Sequence, residues 1–147
     1  MPRPTAPLPT TDEVFERLDR PPWHAVSSVE LANLLGVHLN TIWNYTLRGT
    51  GPTPEPPNAH VRASNRRFFL PCIVLAWLSA REGAPVAAWE WNRRWLAENG
   101  LLDARDPDPG PAGVLRVIRA LDAIRVLPRR WKVRAPHHLA SLETPAG

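Results

Sequence analysis

The sequence predicts a mainly α-helical fold with one short β-hairpin set among the helices. Three observations predict it. Apolar residues recur at helical spacing in six separate stretches, and prolines clustered at 2–9, 21–22, 52–57 and 107–111 cut those stretches apart. Residues 61–70 alone read otherwise: Val61-Arg62, a turn at Ala63-Ser64-Asn65, then Arg66-Arg67-Phe68-Phe69-Leu70, a short hairpin with a basic tip.

In chain order, residues 1–10 read as a Pro-rich leader, and 11–20 as two or three turns of helix. Thr11 would cap that helix, Val14, Phe15 and Leu18 would share a face, and Pro21-Pro22 would end it. Ser27 with Glu30 three residues on is a capping box, so a helix should start near Ser28, carry Leu31, Leu34 and Leu35, and stop at Gly36. A second helix should run from Asn40 to Leu47, burying Ile42, Tyr45 or Thr46, and Leu47, before Arg48-Gly49 closes it. Pro71 suits the first turn of CIVLAWLSARE, whose stripe is Ile73, Val74, Trp77 and Leu78. Two more helices are expected over about 85–99 and 112–126, separated by DPDPGP. In the first, Trp89 and Trp91 lie about 200° apart, so core packing and a subunit interface both fit. The second should bury Val114, Leu115, Ile118, Leu121 and Ile124 or Val126, with Arg116, Arg119 and Asp122 outside. The expected organisation is a leader over 1–22, a central domain over 23–83, a helical extension and candidate dimerisation region over 84–127, and a basic tail over 128–147.

Composition narrows the class. The net charge is +4, and 17 of the 18 basic residues are Arg, which suits planar partners such as phosphate or guanine. A GC-rich genome, whose codons favour Arg, Pro and Ala, explains the same bias. The single Cys72 sits in an apolar run and reads as a buried small hydrophobe; it excludes an internal disulfide. No stretch approaches membrane-spanning length and none has a signal-peptide core, so a cytoplasmic protein with no membrane association is expected. There is no Gly-rich phosphate loop, no paired carboxylates in apolar surroundings and no metal-ligand spacing. His137-His138 stand in a Pro-containing segment without other ligands. A binding protein rather than an enzyme is expected, with no cofactor and no metal.

The segment ELANLLGVHLNTIWNY carries the most information. Two helices joined by a tight Gly-containing turn form a helix-turn-helix when they can pack steeply. Seven positions fit: Ala32 is small at the crossing, Gly36 stands in the turn, and Leu31, Leu35, Val37, Ile42 and Tyr45 are apolar where that unit buries side chains. With the basic hairpin VRASNRRFFL and the closing helix PCIVLAWLSAR, residues 27–82 resemble the winged helix-turn-helix of the MerR/excisionase-like superfamily, which includes AlpA-type regulators and some phage small terminase subunits. The chain departs from that pattern in the long insert GTGPTPEPP before the hairpin.

That resemblance implies a double-stranded DNA partner, with the second helix in the major groove and the wing on the backbone or in the minor groove. Subtracting the buried positions leaves His38, Asn40, Thr41, Asn44 and Arg48 to face bases, and Arg62, Asn65, Arg66 and Arg67 to serve the wing. Trp43 would either touch sugar or a thymine methyl or pack under the wing. Arg129, Arg130, Lys132 and Arg134 would track phosphates non-specifically. Plainer roles compete: Asn40 as a helix cap, His38 as a solvated turn residue, Arg48 at a helix C-terminus, the remaining cations as solvated surface. The expected function is a phage or mobile-element transcriptional regulator or excisionase-like factor acting as a homodimer. The alternatives are a small terminase-like packaging subunit with a second phage or host protein as partner, and a protein-interaction adaptor that no longer binds DNA.

Overall fold

The computed structural model describes residues 7–54 and 67–123. Its elements in order are α1 (Thr11–Arg17), β1 (Val26–Ser27), α2 (Ser28–Leu35), α3 (Leu39–Arg48), β2 (Phe68–Phe69), α4 (Pro71–Arg81), α5 (Ala88–Glu98) and α6 (Pro111–Ala123). The protein is mainly helical with a small antiparallel two-stranded sheet. Among the described residues no helix is long and apolar enough to cross a membrane.

α1 is capped one residue earlier than expected. Thr10, not Thr11, accepts the Glu13 backbone N–H at 3.2 Å, and Glu13 returns the bond to the Thr10 N–H, which completes a capping box. Thr11 is the first helical residue instead, and its N–H donates to Glu82 Oε1 at the far end of α4. The helix stops at Arg17 rather than Arg20, because Leu18 turns extended. Arg20 is then held by Asp19 and Glu30, in the loop that leads to the sheet. Val14 and Phe15 are buried, so the segment expected to be a leader supplies core.

The sheet pairs Val26 with Phe69 and Ser27 with Phe68. It therefore joins the start of α2 to the start of α4. The hairpin partner expected for Phe68-Phe69, Val61-Arg62, lies outside the described residues. Of the two phenylalanines, Phe69 is buried and Phe68 half-buried.

α4 starts on Pro71, where the missing N–H costs nothing, and buries Cys72, Val74, Leu75, Ala76, Leu78 and Ser79. The buried arc spans about 200° and is rotated from the expected stripe; Ile73 and Trp77 are only partly covered. Ser79 Oγ accepts the Val86 N–H at 2.9 Å, which keeps residues 84–87 extended and delays α5 until Ala88, three residues after its expected start.

α5 settles the tryptophan question in favour of packing. Trp91 is buried against Phe15, with ring centroids 5.4 Å apart, and half-buried Trp95 meets Trp23 edge-on at 5.2 Å. Trp89 is partly covered beneath Arg93. α6 packs on α5 through Val114, Leu115, Ile118 and Leu121, all buried as expected, while Arg116 and Arg119 are exposed. Asp122, expected outside, is half-buried; Ile124 and Val126 lie outside the described residues. Each buried aliphatic side chain contributes roughly 1.5–3 kcal/mol, more than an exposed ion pair such as Arg93–Asp108, worth about 1 kcal/mol at most. Apolar packing therefore fixes α6, and its stripe is covered within the chain. One core cluster draws side chains from all six helices, so residues 84–123 extend the central domain's core.

Glu30 has two partners. Its carboxylate accepts the Ser27 N–H at 3.1 Å and pairs with Arg20. Burial alone would raise its pKa, but the Ser27 N–H and the Arg20 charge outweigh that and hold the carboxyl below its ordinary value. A depressed pKa gives stability that is complete above the ordinary carboxylate pKa and is lost as pH falls through the lowered one. Glu30→Gln should cost up to about 1 kcal/mol in urea unfolding at neutral pH, and the gap to wild type should close as pH falls through the lowered carboxyl pKa.

Asn92 on α5 is 0% exposed, and neither its amide oxygen nor its nitrogen has a hydrogen-bond partner. Burying such a group costs about 1–3 kcal/mol. Asn92→Leu, which keeps the branching but is larger, should raise the thermal midpoint, and Asn92→Val, closer in volume, should do the same; a drop in both would show that the amide is satisfied in solution.

Candidate nucleic-acid interface

The turn between α2 and α3 is built by Gly36, which takes the left-handed conformation (φ 64°, ψ 34°) that L side chains avoid. Its N–H reaches Asn33 O, and the Val37 N–H reaches Ala32 O at 3.0 Å, closing α2. Leu31, Ala32, Leu35 and Ile42 are buried, and Val37 and Tyr45 pack partly covered against them. Five of the seven positions that suggested the unit behave as expected, while Val37 and Tyr45, expected to be buried, are half-buried. Arg17 adds a clamp from α1, donating to Leu34 O at 3.2 Å.

α3 is capped by His38, not by Asn40: the His38 Nδ1 accepts the Asn40 N–H at 3.1 Å. The helix accordingly starts at Leu39, one residue earlier than expected. His38 keeps an exposed ring, and the Asn40 side chain is released from capping duty. Of the other expected readers, Asn44 and Arg48 are exposed and Thr41 is half-buried. Leu47 overturns an expectation. It was placed on the buried face but is 73% exposed, because it lies about 140° around the helix from Ile42, the residue that seats α3. Trp43 is 39% exposed and lines an apolar groove of about 320 Å³ with Val29, Leu39, Phe68 and Arg67.

Of the expected wing residues, only Arg67 is described; Arg62, Asn65 and Arg66 lie outside the described residues, as do Arg129, Arg130, Lys132 and Arg134. Arg67 is half-buried at the end of β1–β2, and its carbonyl accepts the Ser28 hydroxyl at 3.4 Å. The charge pattern is lopsided. No acid occurs from Leu31 to Pro54, and the ion pairs of the described residues all involve Arg20, Arg93 or Arg94. Arg48 and Arg67 have no ion pair among the described residues. No group of three His, Cys, Asp or Glu able to hold a metal occurs among them either.

No family model, curated protein or solved structure matches this chain. What can be read of the site comes from its own geometry.

Two features of that geometry were missed by sequence reasoning. Asn40, Trp43, Asn44 and Leu47 form one stripe at i, i+3, i+4 and i+7, a spacing visible in the sequence once Leu47 is assigned outward. The second is how the exit of α3 is held. Gly49 turns left-handed (φ 65°), and the chain then doubles back so that Thr50 O accepts the Trp77 indole N–H at 3.1 Å. Trp77 in turn meets Tyr45 edge-on and carries Arg81 on its face. Gly51 passes so close that a Cβ there would stand 2.5 Å from Tyr45 Cβ. Gly51→Ala should therefore displace Tyr45 and cost about 1–3 kcal/mol in equilibrium unfolding; an unchanged midpoint would mean that the loop yields instead.

Proposed function

We propose that this protein is a sequence-specific double-stranded-DNA-binding protein built on a winged helix-turn-helix, in which α3 enters the major groove. One observation carries the reading: the exposed side of α3 presents Asn40, Asn44 and Arg48 on a helix seated by Ile42, in a stretch without acids. Asn pairs bidentately with adenine, and Arg with guanine or with phosphate. Arg67 marks where the wing joins the domain, and Arg62, Asn65 and Arg66 belong to the wing in this proposal. The resemblance to excisionase-like and AlpA-type regulators supports a phage or mobile-element regulator or architectural factor, without enzymatic activity. A homodimer on paired half-sites belongs to the same proposal. A competing reading, a protein-interaction adaptor, draws on the exposed Val29, Trp43 and Leu47.

Selection from a random duplex library separates these readings, with Asn44→Ala/Arg48→Ala run in parallel. Wild type should yield a compact motif, repeated as two half-sites if a dimer binds. The double variant should lose about ten- to a hundredfold in affinity for that motif. Equal binding of all sequences by both proteins would sink base reading by α3, and no binding at all would favour the adaptor.

A further inference from the structure

The outward stripe of α3 mixes two chemistries. Asn40 and Asn44 stand one turn apart, and Trp43 and Leu47 stand one turn apart beside them. A lone exposed apolar residue on a surface needs no explanation. Here two of the three exposed large hydrophobics of the described residues fall on one helix face, interleaved with amides, and the third, Val29, lies across the groove from Trp43.

We infer that α3 reads A·T pairs in two parts, with Asn40 and Asn44 addressing adenine and the apolar surfaces of Trp43 and Leu47 addressing the 5-methyl groups of thymine. The inference rests on the DNA-binding reading above and names what that site prefers. In the major groove an A·T pair offers adenine N7 and N6 beside thymine O4 and its methyl. An amide next to an apolar side chain matches that pair, and no other base pair carries a methyl. The stripe from Asn40 to Leu47 rises roughly 10 Å, the span of about three base steps.

Charge favours DNA over a protein as the occupant. The stripe and its surroundings lack acids from Leu31 to Pro54, Arg48 stands at its C-terminal end and Arg67 on the rim of the groove beside Trp43. Both cations are without an acid partner among the described residues, as phosphate contacts require.

The test replaces thymine by uracil in the selected duplex, one position at a time. Uracil keeps the Watson–Crick pairing and O4 and removes only the methyl. Wild-type affinity should fall about fourfold for each contacted methyl. Leu47→Ala, at a site too exposed to matter for folding, should bind the thymine and uracil duplexes equally at one position, and Trp43→Ala should do so at another. If wild type selects a motif but binds thymine and uracil forms alike, methyl reading is wrong and DNA reading stands. If uracil weakens wild type and both variants by the same factor, other residues touch the methyls and the assignment fails. If no motif is selected at all, the DNA reading fails first and the stripe belongs to a protein partner.

Discussion

Helix α4 sets the terms for every other element. Seven of its eleven residues are buried, and they span about 200° around the axis. A buried arc that wide needs cover from more than one neighbour. α1 and α5 pack directly on α4, and the short sheet ties its first turn to the first turn of α2. The Cys72 N–H donates to Pro22 O, which anchors the chain before the sheet as well. A domain cut at residues 23 and 83 would expose Val74, Leu75 and Leu78 wherever α1 and α5 now stand. Helix α1 and the Trp-rich α5 are therefore structural partners of the central unit.

The same architecture gives α3 its freedom. It is joined to the core through Ile42, a partly covered flank of Leu39, Tyr45 and Thr46, and the two left-handed glycines at its ends. Its beginning is fixed by the Gly36 turn and the His38 cap, its end by Trp77 gripping Thr50. Held at both ends and buried along one line, it leaves more than half of its surface to solvent without losing orientation. Such a helix presents side chains in a defined geometry, the condition for recognition by several weak contacts together.

What the sequence disclosed was the chemistry that acts over a few residues. The Ser27–Glu30 capping box, the Gly36 stop and the start at Pro71 were legible because each depends on neighbours three or four positions away. The stripe of α6 was legible because it packs chiefly on one neighbour, α5. Where contacts come from distant parts of the chain, local pattern misled. The Val86 N–H held by Ser79 shortened α5, and cover from two helices turned the buried arc of α4 away from its expected stripe. At α3 the cap fell to His38, read from the sequence as a reader or a turn residue, rather than to Asn40. Leu47 shows the limit of hydrophobicity as a guide: its type suggested the core, and its phase relative to Ile42 placed it outside. Of the candidate site, the exposed positions of α3 were readable apart from Leu47 and the half-buried Thr41, because a seated helix leaves only its remaining angles free.

Cys72 illustrates what such a centre makes possible. It is the chain's single thiol, completely buried in the first turn of α4, between the sheet and the body of the core. A labelling reagent can reach it only when the first turn of α4 is uncovered, and α4 packs on α1 and α5. The rate of thiol modification under native conditions thus reports how often the core around α4 opens, not how often an edge frays. The protein carries its own clock for that opening.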